Sequence, residues 1–280
     1  MPDALINGIR LHYEVYGDGD PIVLAHGFGA TLNMWSEQIE PLSRKYKVVV
    51  YDFRGHGRTE APRDWRSYNV DAYVEDQRQL MDHLSIDKAY VGGLSMGGMI
   101  AMHFALAHPE RLKALLLCDT AASNRRLGGE QPEGRAAQEI RSFIVRDLFP
   151  LGFAVGRYVP LEHFPQVRSA PPGVKAYVRE MRQHTALGLR GAWHALMTRP
   201  DVENRLREIT VPVLIIVGDR DQLLGASHIM QERLPGCRFV LIKGSPHGTA
   251  NWRSDAFNTA VLDFLADVEG GRDVAGEVTL

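Results

Sequence analysis

A serine on a predicted sharp turn is the residue of this sequence with the clearest capacity for chemistry. Ser95 lies at the centre of the segment 93–97, GLSMG, which follows an apolar run and precedes an apolar helical pattern. This order predicts a strand, a tight turn and a helix, with the serine hydroxyl exposed at the turn. Because such a turn crowds the backbone, the residues two positions either side must lack side chains, as Gly93 and Gly97 do. We therefore predict that Ser95 is a nucleophile.

A histidine and a carboxylate must accompany such a serine, because its hydroxyl is a weak nucleophile until a base takes the proton. A histidine can do this near neutral pH, and a carboxylate holds the imidazole in the correct tautomer. Asp221 follows a strand pattern at 213–217, and His247 follows the next one at 238–242. Since open α/β sheets place their sites beyond the carboxyl ends of strands, we predict Asp221 as the orienting acid and His247 as the base.

Three other side chains compete for these roles. Asp219 lies closer to the strand end than Asp221, and we expect it to cap the turn. Asp52 also ends a strand, but that strand precedes the serine turn, so we expect Asp52 to hold the loop that follows it. His26 begins a glycine-containing loop, and we expect it to order that loop by hydrogen bonding rather than to react.

The negative oxygen of a tetrahedral intermediate needs two preorganised N–H donors. We predict that the backbone N–H of Met96, the residue after the serine, is one of them. The other is expected from the loop 26–29, HGFG, in which small residues let the backbone approach a substrate. Phe28 N–H is the natural donor in that loop, so Phe28 and Met96 form the predicted oxyanion hole.

Strands and helices alternate along most of the chain, which implies a mostly parallel sheet with right-handed crossovers. The alternation stops between residues 121 and 200, where helix-like segments are separated by prolines and no strand signal occurs. We predict a core of residues 1–120 and 201–268, with 121–200 as a helical lid above the sheet. Residues 269–280 are glycine-rich and acidic without periodicity, so a flexible tail is expected there.

Composition argues against several classes of function for this chain of 280 residues. A formal net charge of -2 gives no electrostatic case for nucleic acid or an anionic membrane as partner. The two cysteines, Cys118 and Cys237, are far apart and adjoin apolar runs, which favours buried free thiols in a reducing compartment. The sequence shows no secretory signal, transmembrane run, metal-binding motif or dinucleotide-binding glycine pattern. We expect a soluble cytoplasmic protein without metal or cofactor.

Several motifs together resemble those of the α/β-hydrolase-fold enzymes, in the branch of esterases, lactonases and cofactor-free perhydrolases. They occur in the family's order across nearly the whole chain, at residues 26–29, 52–57, 93–97, 218–221 and 247. The resemblance implies an eight-stranded, mostly parallel sheet with helices on both faces and a lid over the site. Related dehalogenases and epoxide hydrolases carry aspartate where this chain has Ser95, so the resemblance implies acyl transfer as the chemistry.

The resulting expectation is a serine hydrolase that cleaves carboxylic esters of small to medium apolar molecules through an acyl-enzyme. An enol-lactone hydrolase, a carbon–carbon hydrolase and a perhydrolase would use the same residues, and the sequence leaves these alternatives and the oligomeric state open. A non-catalytic receptor for a small ligand is an alternative from a different class. Some aromatic side chains of the segment 121–200 are expected to face the pocket. Substitutions there should change substrate ranking and leave the reactivity of Ser95 intact.

Overall fold

A single mixed sheet forms the frame of the protein. The computed structural model describes residues 2–124, 168–180 and 183–280. In these ranges the strands are β1 Asp3–Ile6, β2 Ile9–Tyr16, β3 Pro21–Ala25, β4 Lys47–Tyr51, β5 Ala89–Leu94, β6 Leu112–Cys118, β7 Val213–Gly218, β8 Arg238–Ile242 and β9 Gly276–Thr279. Their spatial order is β1-β2-β4-β3-β5-β6-β7-β8-β9. β2 pairs antiparallel with β1 and β4, and all the other pairs are parallel.

Helices cover both faces of this sheet, as crossovers between parallel strands require. The described α-helices are α1 Ser36–Ser43, α2 Val70–His83, α3 Met96–Ala107, α4 Pro172–Glu180, α5 Ala186–Thr198, α6 Leu224–Arg233, α7 Thr249–Trp252 and α8 Ser254–Glu269. Side chains of α2, α3 and α6 pack into one hydrophobic cluster, and those of α1 and α8 pack into another.

Burial on both faces explains the continuous apolar runs of the central strands. In β4, Val49 belongs to the cluster on one face, whereas Val48 and Val50 belong to the cluster on the other. Successive side chains of a strand point to opposite faces, so a strand covered on both sides is apolar at every position. All six residues of β7 are buried for the same reason.

The strand order brings several loops together at one edge of the sheet. β3 lies between β4 and β5, and Ala25 at its end pairs with Gly93 of β5. Leu94 pairs with Cys118 at the end of β6, and Gly218 of β7 pairs with Ile242 of β8. The loops that follow these strands therefore start side by side, which is where open α/β sheets bind ligands.

The C-terminal residues differ from the expected flexible tail, and the sheet has a ninth strand beyond the eight expected. β9 pairs with β8, from Gly276 opposite Arg238 to Thr279 opposite Leu241. The expectation of a loose tail was therefore wrong for these residues. The strand was missed because all four side chains of β9 are exposed. An edge strand held by backbone hydrogen bonds alone leaves no apolar periodicity in the sequence.

The described part of the segment 121–200 contains the helices α4 and α5. α4 and α5 replace the helices expected at 173–185 and 189–197, with slightly different bounds. The helix expected at 136–149 lies outside the described residues, so the insertion as a whole and its role as a lid stay predictions. Within the described ranges, no helix combines the length and the apolar character needed to cross a membrane.

Candidate active site

Ser95 occupies a sharp turn between β5 and α3, with a backbone φ of 56° and ψ of -113°. This conformation is unfavourable for a residue with a side chain, so the surrounding bonds must hold it. The Ser95 N–H donates to the carbonyl of Cys118 at 2.9 Å. Its own carbonyl accepts from Met99 N–H at 3.0 Å and from the Thr120 hydroxyl at 2.7 Å. These bonds fix the turn from the neighbouring strand end and from the helix that it starts.

Two glycines make this turn possible, as the sequence predicted. A Cβ atom at Gly97 would lie 2.1 Å from the carbonyl oxygen of Ala25, and one at Gly93 would lie 2.5 Å from the carbonyl carbon of Gly97. No side chain fits at such distances. The end of β3 and the start of α3 approach each other closely for this reason, and Ser95 projects from the point where they meet.

His247 and Asp221 meet beyond the ends of β8 and β7. The His247 Nδ1 lies 2.9 Å from Asp221 Oδ2 and 3.1 Å from Oδ1. The Asp221 carboxylate is buried and also accepts the Leu223 N–H at 2.8 Å. Burial by itself would lower the pKa of His247, but the bond to Asp221 and its charge outweigh burial and raise the pKa. Burial likewise opposes ionisation of Asp221, and His247 more than compensates, so the pKa of Asp221 is lowered.

The two competing carboxylates lie elsewhere. Asp219 is exposed, two residues before Asp221 on the same loop, and its backbone N–H donates to the carbonyl of Ile242 at 3.1 Å. Asp52 is buried and accepts the backbone N–H of Leu32 at 2.7 Å and of Arg58 at 2.8 Å. Burial raises the pKa of Asp52 to about 6. Asp52 therefore ties two loops together, one of which is the loop that it was expected to hold.

Sequence reasoning missed a second carboxyl near the histidine, besides that of Asp221. Asp119 directly follows β6, is fully buried, and accepts both the backbone N–H and the hydroxyl of Thr249 at 2.7 Å. Its side chain lies against Asp221, and the pKa of Asp119 is raised by burial and further by the Asp221 carboxylate, with His247 opposing. Position alone could have revealed it, because Asp119 follows a buried strand just as the first residues of the other site loops do.

Ser95 and His247 line the same cavity, which has a volume of about 180 Å³. Its described walls come from the loop after β3, from α4 of the insertion and from the segment that follows His247. They are mostly apolar and include few polar side chains besides Ser95 and His247. The described lining residues are Gly27, Phe28, Ala30, Met34, Leu94, Ser95, Val174, Tyr177, His247, Gly248, Asn251 and Trp252.

The predicted oxyanion donors are the residue that follows Ser95 and a residue of the loop after β3. Met96 is the first residue of α3, and the first N–H groups of a helix have no acceptor within the helix. Phe28 lies in the loop after β3 and lines the cavity. His26 orders this loop as expected, because its Nδ1 bonds to the carbonyl of Gly27 at 2.7 Å while its Nε2 accepts the N–H of Phe53 at 3.0 Å. The roles of Phe28 and Met96 stay predictions.

The family model of the alpha/beta hydrolase fold matches residues 20–252, which span β3 to α7 and include every residue of the candidate site. The chain belongs to the α/β-hydrolase fold family. The serine turn, the Asp221–His247 pair and the loop after β3 are thus parts of a hydrolase fold.

Relatives within this family carry different activities in their names. The chain is 31% identical to 3-oxoadipate enol-lactonase 2 of Acinetobacter baylyi over 215 residues, which cover 76% of each chain. An enol-lactonase structure from Burkholderia xenovorans has a TM-score of 0.78 and 28% identity, with 95% of this chain and 100% of that one covered. A thermophilic esterase from Thermogutta terrifontis has a TM-score of 0.78 and 27% identity, with 96% and 99% covered. The likeness therefore identifies a hydrolase family and leaves its substrate open.

Proposed function

We propose that this α/β hydrolase cleaves carboxylic esters, including cyclic esters, of small, uncharged and mostly apolar molecules through an acyl-enzyme. The observation that carries the proposal is that Ser95 and His247 line one apolar cavity while Asp221 holds the far nitrogen of His247. A nucleophile, a base and an orienting acid are the three groups that acyl transfer by serine requires.

The acylation step uses the two nitrogens of His247 differently. Asp221 holds Nδ1, so the proton resides there and Nε2 is the nitrogen free to accept. Nε2 takes the Ser95 proton as Oγ forms a bond to the acyl carbon. The bond from that carbon to the leaving alcohol oxygen then breaks, and His247 gives the proton to the departing oxygen. The N–H groups of Met96 and Phe28 bind the oxyanion of the intervening tetrahedral species.

The second half of the reaction frees the acid by the same groups. His247 takes a proton from water, the water oxygen bonds to the acyl carbon, and the bond to Ser95 Oγ breaks as Oγ regains its proton. Each half begins and ends with His247 neutral. Since the pKa of His247 is raised, its protonated and inactive form extends to higher pH than for an isolated histidine.

The walls of the cavity favour neutral substrates. The described lining contains no lysine, arginine, aspartate or glutamate, so a charged group entering this part of the cavity would lose its hydration without gaining an ionic partner. The volume of about 180 Å³ is small for a ligand pocket, which favours short acyl and alcohol groups. The names of an enol-lactonase and an esterase among the relatives support both open-chain and cyclic esters as candidates.

The test is turnover of a graded set of neutral substrates by the purified protein. We expect p-nitrophenyl acetate and butyrate and a neutral γ-lactone to be hydrolysed, with butyrate preferred over long chains. A fluorophosphonate should add its mass at Ser95. If every ester is inert and a vinylogous substrate is cleaved at a carbon–carbon bond, the protein is a carbon–carbon hydrolase and not an esterase. A single slow acylation without further turnover would favour the alternative of a non-catalytic receptor for a small ligand.

A further inference from the structure

The loop after β3 is held by bonds from two parts of the molecule. It forms a turn over residues 27–30, closed by a bond of 3.2 Å from Ala30 N–H to the Gly27 carbonyl. Gly29 has a φ of 71°, which suits the third position of a type II turn. Phe28, the predicted oxyanion donor, is the second residue of this turn, so the orientation of its N–H depends on how firmly the turn is held.

The sheet core holds one side of this turn through two buried histidines. His26 Nδ1 donates to the Gly27 carbonyl, which belongs to the same peptide plane as the Phe28 N–H. Carbonyl and N–H point in opposite directions in a trans peptide, so this bond aims the Phe28 N–H away from His26. His56 Nε2 accepts the Gly29 N–H at 3.2 Å. Burial lowers the pKa of His26 to about 3 and lowers that of His56 well below its usual value, so both stay neutral.

The inserted segment holds the other side of the same turn. The Tyr177 hydroxyl, on α4, donates to the Phe28 carbonyl at 3.3 Å. The His184 imidazole, between α4 and α5, donates from Nε2 to the Gly29 carbonyl at 2.9 Å. Its Nδ1 accepts the Gly57 N–H at 3.1 Å, which fixes the tautomer that can donate to Gly29. Burial raises the pKa of Tyr177 to about 12, so its hydroxyl remains a donor.

Close packing makes this part of the insertion a fixed neighbour of the loop. A Cβ atom at Gly188 of α5 would lie 2.0 Å from the carbonyl oxygen of Gly55, so helix and core loop touch through their backbones. The ring of Trp193 meets the ring of Phe28 edge-on, with centroids 5.2 Å apart. Glu180 accepts from the Asn33 side chain at 2.8 Å and also bonds to the Thr31 hydroxyl.

The six ring nitrogens of His26, His56 and His184 all have backbone partners. A metal site or a proton relay would need at least one of these nitrogens to be available, and each is already used as a fixed donor or acceptor. The three rings therefore act on the backbone of the loop. His56 and His184 hold the two ends of the Gly29 residue, its N–H and its carbonyl.

We propose that Tyr177 and His184 are positioning residues for the oxyanion hole, so that the inserted segment contributes to the chemical step as well as to the pocket wall. This inference rests on the proposed function, because it assigns the Phe28 N–H to a developing oxyanion. Loss of either side chain removes a hydrogen bond to a loop carbonyl, and the turn then relaxes away from the orientation that stabilises the transition state.

The test compares His184→Leu, His184→Gln and Tyr177→Phe with His194→Leu, a matched control at an exposed histidine of α5 whose ring meets that of Trp65 edge-on. With p-nitrophenyl butyrate we expect kcat of His184→Leu to fall about 10- to 100-fold, less than the loss for deleting an oxyanion donor outright. KM should change by less than about 3-fold, because an oxyanion contact is made mainly in the transition state. The glutamine amide can donate to Gly29, so His184→Gln should recover part of the loss.

Affinity for an aryl trifluoromethyl ketone gives a second readout that a pocket-wall role would not move. Its adduct with Ser95 places an oxyanion in the hole, so its inhibition constant should rise by the factor by which kcat/KM falls. Unchanged kcat and ketone affinity in folded Tyr177→Phe and His184→Gln would overturn the proposal, even if His184→Leu fails to fold. A change in KM alone would also overturn it.

A probe that needs no turnover separates this inference from the proposed function. We call the hydrogen bonds from Tyr177 and His184 to the loop after β3 the insertion clamp. If wild-type protein hydrolyses no ester, the proposed function fails, but the rate at which a small fluorophosphonate labels Ser95 still tests this clamp. The phosphonyl oxygen uses the same donors, so slower labelling of His184→Leu and Tyr177→Phe than of His194→Leu supports the clamp. Equal labelling rates across the variants overturn it.

Discussion

The sheet core and the inserted segment both reach the cavity, but they supply different kinds of group. The core provides Ser95, Asp221 and His247, each on a loop that leaves the carboxyl end of a strand. The described part of the insertion provides Val174 and Tyr177 as walls. Groups that must react at short range thus lie on loops fixed by the sheet, because strand ends are held by hydrogen bonds along the whole ladder.

The comparison also divides the insertion into two sets of residues. Val174 lines the cavity, whereas Tyr177 and His184 hold the backbone of the loop after β3. The sequence led us to expect that substitutions in this segment change substrate ranking and leave the reactivity of Ser95 intact. The contacts indicate that this expectation applies to the first set and that the second set also affects the rate of the chemical step.

Removal of the nucleophile is expected to have the largest effect. Ser95→Ala should lose turnover by about 10⁴-fold or more, because the remaining groups provide only oxyanion binding and orientation. Its thermal unfolding midpoint should match or exceed that of the wild type. Alanine is no larger than serine, so the substitution adds no crowding at the unfavourable backbone conformation of residue 95. Residual turnover above a few per cent would place the nucleophile elsewhere, and mass spectrometry of phosphonate-treated protein would locate it.

The two carboxylates of the loop after β7 should differ almost as strongly. Asp221→Asn removes the acceptor that holds His247 Nδ1–H and should lower kcat by about 10³- to 10⁴-fold. Asp219→Asn changes an exposed side chain and should leave kcat within about 2-fold. Steady-state kinetics of the two variants at pH 8 provide the measurement. A loss of similar size in both would show that the loop, rather than the carboxylate, is the sensitive element.

The loss of kcat expected for His184→Leu and Tyr177→Phe is smaller than that for Ser95→Ala or Asp221→Asn. It is larger than the effects expected for Asp119→Asn and Val174→Ala. A drop in kcat for His184→Leu near that of Asp221→Asn would show that the core alone does not hold the oxyanion loop.

The buried carboxyl of Asp119 should appear in the pH dependence. His247 must be neutral to accept a proton, so kcat/KM rises with pH through its pKa, which lies above the usual 6.5. Asp221 contributes most to that increase and Asp119 contributes further. Asp119→Asn removes this contribution to the pKa of His247, so the acidic limb of the profile should move to lower pH while the plateau persists. A limb that stays in place, or moves to higher pH, would contradict a contribution of Asp119 to the pKa of His247.

The smallest effect is expected at the wall of the cavity. Val174→Ala should improve kcat/KM for a longer acyl chain relative to a shorter one by up to about 10-fold, because each methylene of apolar contact contributes about 1–3 kcal/mol. The rate of Ser95 labelling by a small fluorophosphonate should remain that of the wild type. Slower labelling in this variant would mean that the walls and the clamp cannot be separated.

Local sequence signals were sufficient to predict much of the candidate site, because its residues lie just after the ends of strands. Ser95, Asp221 and His247 each follow a short apolar run, and glycines at 93 and 97 show how tight the serine turn is. The same signal existed for Asp119, which directly follows β6, and it was overlooked. Their roles in catalysis remain predictions, although their proximity is a property of the fold.

The sequence by itself determined the family, the alternation of strands and helices and the residues most suited to chemistry, because these depend on neighbours a few positions away. The tertiary structure decided which carboxylate reaches His247, how β9 extends the sheet and which side chains of the segment 121–200 hold the loop after β3. His184 and Gly29 are 155 residues apart, and Tyr177 and Phe28 are 149 apart. No periodicity or motif encodes a bond of that span, because it depends on how the insertion packs on the core.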